Sequence, residues 1–512
     1  MKPSALVKLA SYIKNLPAII VFIFLMPCSF IQGQGISNLW LMGYDCGGPG
    51  CGGTNIDFFH GAPDTQTVYR DMNFRQTSAS ISDSSGQLLF YTNGVYIANR
   101  NNALMLNGDS LNPSDYTNTW RNDGLKISQG ALILPSLYDD SIYFLFHETV
   151  LDFDYQQDHL YQTTELLYSI IDMRLDSGRG AVVFKNIPVI SDTLLYGGVV
   201  GCKHANGRDW WIICHRFNSD LWYTLLLTPY GIQGPFSQHA GQYIYQGGGG
   251  QSVFSRDGTR FARHHVIHDL DVFDFDRCNG LLSNYRHSAI NDTSGGVGVS
   301  ISPNSELLYA TEDDHVYQYN LNASNLDSSK VEVATYDGFA DPFPPFRTSF
   351  YLSLLANDNK IYINTGNGTP WLHVINHPDS AGLACDVQQH SFKLPTVNAA
   401  TIPNYPSFFL GAEGGTLCDS LPTEVRPQVL KQMDVELFPN PVRNLLYITT
   451  GSSATWSGIV VFNIFGQQVS VPIHEIKNGE YQEINTSSLT PGVYLLELRS
   501  GMGKVVKRFV RE

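Results

Sequence analysis

Two stretches gather the residue types from which chemical sites are built. Arg263 to Arg277, RHHVIHDLDVFDFDR, contains three histidines and four aspartates. Extended as one strand, it would put His264, Val266, His268, Leu270 and Val272 on one face, and His265, Ile267, Asp269, Asp271 and Phe273 on the other. Neither face offers a clean three-ligand set, and a turn is expected to interrupt the run near His268 to Leu270. Metal binding by the histidines and carboxylates is one reading. The favoured reading is structural, with Asp274 and Asp276 capping the turn Arg277 to Gly280 through the local backbone hydrogen bonds that aspartate forms readily. No metal site and no cofactor is expected.

The second stretch, Val200 to Ile232, places Lys203, His204, Asn206, Arg208 and Asp209 beside Trp210 and Trp211. Polar groups next to an indole pair could form a platform for sugars. Equally, Asn206-Gly207 supplies the positive φ of a tight hairpin and the tryptophans bury between sheets, which is the preferred reading. If a ligand contacts this region, Lys203, His204 and Arg208 are the candidates, because they set this turn apart from its siblings described below. Catalytic signatures are lacking. Gly247 to Gly250 is followed by no lysine, so it is not a phosphate loop, and no Gly-x-Ser-x-Gly elbow occurs.

The elements that must carry these residues repeat. A turn followed by an apolar strand recurs as SGQLLFYT (Ser85 to Thr92), DDSIYFLF (Asp139 to Phe146), NGRDWWII (Asn206 to Ile213), DGTRFARH (Asp257 to His264), NSELLYAT (Asn304 to Thr311) and NDNKIYIN (Asn357 to Asn364). Counted at Gly86, Asp139, Gly207, Gly258, Ser305 and Asp358, the spacings are 53, 68, 51, 47 and 53 residues. Propeller blades run at about 40 to 50 residues. The fold expected is therefore all-β, a β-propeller over residues 36–413. Seven blades are preferred to six, the seventh being completed from both ends by pairing the strand near Asn38 to Gly43 with Phe392 to Leu410. Small residues at Gly248 to Gly250 and Gly295 to Gly298 suit innermost strands, where the axis is crowded.

Composition agrees with strands and turns: 46 Gly, 12% aromatic and 15% charged residues. A formal net charge of -15 excludes a nucleic-acid footprint, which needs a basic face. Residues 1–35 read as a signal peptide, with Lys2, Lys8 and Lys14, the apolar run Ala18 to Met26, and cleavage near Gln32 to Gly35. Lipidation at Cys28 is the alternative, but Pro27 stands where a small residue would be expected. The mature chain is expected to have no transmembrane segment. Export permits disulfides among the remaining cysteines. Cys46 and Cys51, flanking a Gly/Pro turn, are the first candidate pair, Cys202 and Cys214 on neighbouring strands the second. A zinc site at Cys46 and Cys51 would need a second ligand pair that the sequence does not provide.

A polar linker with Pro422 and Pro427 occupies 414–433. Residues 434–512 change character to LFPNPVRNLLYI, VVFNIFGQQV and LTPGVYLLELRSGMGKVVKRFV, alternating strands suited to a small Ig-like antiparallel β-sandwich. This module resembles the C-terminal sorting domain of type IX secretion. The resemblance rests on Phe438, Pro439, Asn440 and Pro441, on Asn444 and Leu445, on the turn Asn463 to Gly466, on Pro491 to Leu495 with Gly492 and Tyr494, and on Lys504, Lys507 and Phe509. It implies the type IX machinery as a partner and a secreted or outer-membrane cell-surface location.

Residues 39–411, through ISDSSGQLLFYTNGVYIANRNNALMLNG, KHANGRDWWIICH and LDVFDFDRCNGLLSN, resemble a family of secreted Bacteroidetes propellers. The chain departs from it at Arg75 to Thr77, where an acidic residue and a glycine would precede the strand Ser78 to Ile81. That family carries no activity to transfer. The function expected is a non-enzymatic exported propeller that binds an extracellular glycan or protein through its loops. The alternative is a secreted, glycan-active hydrolase or lyase with its site at the channel mouth.

Overall fold

The structure, a computed structural model, describes residues 35–155, 158–245, 249–290, 296–342, 345–416, 418–419, 435–450, 456–463, 468–475, 481–500 and 503–512. Residues 1–34 of the expected signal peptide, most of the linker and Gly466 lie outside the described residues. The chain divides into two compact units, one reaching Ala412 and the other running from Glu413 with Tyr230–Ile232.

The first unit is a seven-bladed propeller. Blade 1 is a three-stranded sheet of Leu39–Tyr44, Gly52–Asp57 and Asp64–Val68; blade 2 has Ala79–Ser82, Leu88–Thr92 and Ile97–Asn99. Blade 3 orders Ala131–Pro135, Ile142–Glu148, Asp158–Asp172 and Ala181–Leu194, with Leu151–Tyr155 added to the third strand. Blade 4 runs Val200–Lys203, Trp210–His215, Ser219–Thr228 and Gly231–Ile244. Blade 5 runs Gly250–Phe254, Arg260–His265, Asp269–Asp276 and Leu281–Ser288. Blade 6 has Gly298–Ile301, Leu307–Glu312, His315–Asn320 and Val331–Thr335; blade 7 has Ser353–Leu355, Ile361–Ile363, Thr369–Ile375 and Val387–Asn398.

The six repeated turns join first to second strands in blades 2 to 7, all at one end of the ring, here the lower end. Each relies on one acidic or amide side chain that gathers backbone N–H groups. Asp83 accepts from Ser85 and Gln87, Asp139 from Ser141, Asn206 from Arg208 and Asp209, and Asp257 from Thr259. Between blades the strands bury both faces, as propeller packing demands. One wedge, between blades 4 and 5, gathers Trp211, Ile213, Trp222, Phe261 and Phe273. The strand Ala79–Ser82 forms without the acidic residue and glycine expected before it.

Closure differs from the pairing expected. Residues 387–398 are the outer strand of blade 7, and Leu39–Tyr44 pairs within blade 1. Blade 1 starts beside the lower turn of blade 2, where Ser82 N donates to Ile36 O. Its first strand therefore climbs, opposite to the other inner strands. Its first two strands are joined at the upper end by the loop that Cys46 and Cys51 close as a disulfide, with Cα atoms 5.4 Å apart.

The innermost position beside blade 1 falls to residues 399–412, which descend the channel without forming a ladder. Near the upper end Asn364 Nδ2 donates to Thr401 O (2.9 Å) and Thr401 Oγ1 to Phe74 O (2.6 Å). Asn404 Nδ2 donates to both Ala131 O and Val199 O at 2.9 Å, while its N–H reaches Ser78 O. Tyr405 Oη donates to Leu39 O (2.7 Å) and touches Ser80 Oγ. Lower down, Phe408 packs edge-on against Trp210, and Ala412 bridges to Asn206. Only a segment on the axis can touch five blades in 14 residues.

The second unit is a two-sheet sandwich. One sheet orders Val435–Phe438, Leu445–Thr450, Tyr481–Asn485 and Ile473–Glu475; the other orders Gln468–Val469, Trp456–Asn463, Gly492–Ser500 and Gly503–Arg511. Val442, Leu446, Ile448, Val461, Ile484, Leu496, Leu498 and Phe509 fill it.

Candidate functional site

The run Arg263 to Arg277 is a hairpin. Arg260–His265 and Asp269–Asp276 are antiparallel, with Arg263 opposite Asp271 and His265 opposite Asp269, and the turn takes Val266 to His268. The ligand-type side chains consequently point to two inter-blade wedges. His264 faces blade 6, where Nε2 meets Glu312 Oε1 at 2.8 Å and Nδ1 meets Gly298 O at 3.1 Å, both side chains being buried. Arg263 and His265, one residue out of phase, face blade 4. Asp276 Oδ1 accepts from Cys278 N (2.8 Å) and Asn279 N (3.3 Å), the capping expected of it, whereas Asp274 pairs with Arg260 and Arg286. Among the described residues, no group of three His, Cys, Asp or Glu is placed to hold a metal ion.

The hairpin at Asn206 lies at the lower end. His204 Nε2 bonds Cys278 O (3.0 Å) and its Nδ1 accepts from Asn206 N (3.0 Å). Burial first, outweighing Asp209, holds its imidazole below the usual range. Arg208 pairs with Asp209 at 2.6 Å, and Lys203 lies over the Trp210 ring at 5.2 Å with its ammonium lowered by burial. The missing side chain of Gly207 makes room for Ala412, so this turn seats the end of the channel segment. Trp210 and Trp211 are 1% and 4% exposed, and Trp211 Nε1 donates to Arg277 O. Cys202 and Cys214 do not pair with each other. Cys202 sits opposite Trp211, and Cys214 three positions further along lies on the other face of the sheet.

The upper end of the channel is where titratable groups converge. Just past each repeat copy, eight positions beyond its first residue, or nine in blades 3 and 4, the residue is polar: Asn93, Glu148, His215, His265, Glu312 and Thr365. All are buried. Reading the copies by their turns alone misses this ring; aligning them through to their last strand residue would have revealed it. His147 beside it bonds Asn112 Oδ1 (2.6 Å) and Ser169 Oγ (3.0 Å), and burial depresses it to about 3. Glu148 accepts from Gly197 N at 2.7 Å, and burial pushes its carboxyl up to about 8 against the opposing pull of Gly197 and Arg263.

In the sandwich, Asn440 ties the motif to the last strand, donating through Nδ2 to Arg508 O (3.1 Å) and accepting from Val510 N (2.8 Å). Pro439 and Pro441 flank it, in cis peptide bonds. Tyr494 stacks on Phe509, and its hydroxyl donates to Thr490 O. Gly492 lies opposite Arg511 and Lys504 opposite Arg499, while Lys507 is exposed. Residues 436–512 match the family described as the secretion system C-terminal sorting domain. The chain carries a type IX sorting domain. It is a substrate of the type IX machinery, bound for the cell surface or the extracellular space. No helix among the described residues is long and apolar enough to cross a membrane.

No curated protein matches the chain. Among solved structures, a functionally unknown protein from Desulfotomaculum acetoxidans is 14% identical, with 72% of this chain and 99% of that one covered and a TM-score of 0.37. A quinonprotein alcohol dehydrogenase-like protein from Bacteroides thetaiotaomicron is 12% identical over 71% and 75%, TM-score 0.35. The Cps50 (Swd1) β-propeller domain of Myceliophteria thermophila is 8% identical over 61% and 86%, TM-score 0.32. At these levels the likeness says nothing of activity, and the propeller stands on its own seven sheets.

Proposed function

We propose that the exported propeller is a non-catalytic binding module, whose ligand surface is the upper rim rather than Lys203, His204 and Arg208. The observation that carries this reading is the channel segment. Residues 399–412 descend the axis and are bonded to the inner strands, so chain occupies the channel, and the polar ring at its upper end is buried. A rigid scaffold with its core so filled acts through what it displays.

The upper rim displays the disulfide-closed loop between Cys46 and Cys51, the connection 111–130, and the segments 336–342 and 345–352. Large aromatic side chains are exposed there: Tyr69, Tyr245 and Phe346 are 90%, 55% and 45% exposed, Tyr245 resting edge-on against His268. Aromatic faces of this kind suit sugar rings or apolar side chains of a protein partner. The full-length protein applied to glycan and cell-surface protein arrays should give a specific ligand whose binding falls at least tenfold in Tyr69→Ala, Tyr245→Ala or Phe346→Ala. Blank arrays together with hydrolase or lyase turnover on a polysaccharide panel would overturn the reading.

A further inference from the structure

The wedge between blades 4 and 5 is apolar for most of its height and ends in charge. On the second strand of blade 4 the alternation Trp211, Ile213 continues to His215. On that of blade 5, Phe261 continues to Arg263 and His265. Each of these three polar side chains is 1% exposed. From blade 3 comes Glu148, 0% exposed, and from the inner strand of blade 5 comes Ser252, 1% exposed.

Two consecutive glycines with φ of +75° and +81° thread between these groups. Gly197 N holds Glu148 Oε2, and the open side of Gly198 faces Ser252 Oγ and Arg263 Nη1, which would lie 2.9 and 3.6 Å from a Cβ there. Glu148 and Arg263 are thus brought to either side of a two-residue backbone step.

What distinguishes this wedge is what remains unbonded. Among the described residues, Glu148 Oε1, both ring nitrogens of His215, Ser252 Oγ, Arg263 Nε and Nη2, and His265 Nε2 are buried without a hydrogen-bond partner. The next wedge is an internal comparison: there His264 and Glu312 pair at 2.8 Å and both ring nitrogens of the histidine are used. A guanidinium with two idle nitrogens in a dry interior is far costlier than one paired, so native structures fill such places.

The idle atoms are mostly donors. His265 Nδ1 accepts from Ile267 N (3.1 Å) and His268 N (3.2 Å), which puts its proton on Nε2. Arg263 contributes the N–H groups of Nε and Nη2, and Ser252 a hydroxyl. Glu148, with Oε2 already accepting and its carboxyl pushed up to about 8, presents Oε1 as an O–H at neutral pH. Four kinds of donor around one permanent positive charge favour an acceptor that is itself anionic.

We propose that Glu148, Ser252, Arg263 and His265, with His215 as a wall, enclose a binding site for one small monovalent anion, a halide or a carboxylate of formate size. The site is sealed inside the propeller, so it serves the fold and is independent of what the rim binds.

Crystals of the full-length protein soaked in sodium bromide test it directly. An anomalous peak within hydrogen-bonding distance of Arg263 and His265 is expected, and density for ordered water alone at the cluster overturns the proposal. In solution, thermal unfolding in sodium chloride, sodium formate and sodium gluconate at equal ionic strength gives a second readout. Chloride or formate should raise Tm by a few degrees over gluconate, whose anion is too large to enter, and the response identifies which of the two is held. Arg263→Gln should abolish the gap, and the milder Ser252→Ala should narrow it. A gap unchanged in both variants sinks the idea.

Discussion

Burial makes the propeller's stability sensitive to pH from both sides. His147, His215 and His373 are each depressed to about 3, chiefly by burial, with Arg263 adding to the effect at His215. His265 is lowered too. Their unfolded counterparts titrate near 6.5, so below that pH the unfolded chain takes up protons that the folded one refuses, and stability falls as pH drops from 6.5 towards 3. Glu148 has the opposite sign. Its folded value near 8 exceeds the ordinary 4.5, so the folded state holds the proton more tightly and stability is lost progressively as pH rises from about 4.5 to 8, a loss that the histidines mask below about 6.5. The groups facing it are Arg263 of blade 5, the Cys214 thiol of blade 4 and the Gly197 N–H. Urea titrations across pH 4 to 9 should show a maximum between about 6 and 7. Glu148→Gln should remove the alkaline decline, on the order of 2 kcal/mol between pH 6.5 and 8.5, and leave the acid limb; an alkaline limb unaltered in the variant would refute the assignment. Of this chemistry the sequence showed Arg263 to Arg277 as a histidine-rich run with a turn in it. Glu148 and His215 come from strands 115 and 48 residues upstream of Arg263. Only the stacking of blades, which is non-local, joins them.

At the scale of elements, the six turns were legible because each carries its own local chemistry, a side chain collecting N–H groups, in all but blade 3 beside a glycine or a positive-φ residue. Blade 1 has no such turn: its first two strands meet at the opposite end, in the disulfide-closed loop, so a search for the repeat counts six where there are seven. The channel segment is harder still. Residues 399–412 have no periodicity because they form no ladder; most of their hydrogen bonds to the blades pass between a side chain and a backbone carbonyl. Asn404 is the clearest case, its amide bridging Ala131 O and Val199 O while Gln129 Nε2 reaches its Oδ1 at 3.3 Å. Asn404→Ala would strip two buried carbonyls of their donors, at about 1–3 kcal/mol each. A loss of about 2–4 kcal/mol, seen as a lowered urea midpoint with an unchanged slope, is expected. A loss below about 0.5 kcal/mol, the range of a surface substitution, would mean that the segment does not pin the blades.

At the scale of the molecule, each of the two units has its own apolar core, the wedges of the propeller on one side and the sandwich cluster of Val442, Leu446, Ile448, Leu496, Leu498 and Phe509 on the other. Because the two cores are separate, export and folding should be separable. Removing Val435 to Glu512 should leave the main unfolding transition of the propeller within about 2 °C of the full chain's, a shift small for a domain of this size, while the protein stops at the periplasm instead of reaching the surface. A point substitution distinguishes sorting from simple loss of a domain. Asn440 is exposed, and both of its bonds are to backbone groups of the last strand, Arg508 O and Val510 N. Asn440→Ala therefore frees the Phe438-to-Pro441 motif from that strand at a stability cost of about 1 kcal/mol, too little to unfold the sandwich. Cell-surface protease accessibility and fractionation should find the variant folded and retained inside. Normal surface delivery of Asn440→Ala, with the deletion still retained, would show that the machinery reads another part of the sandwich.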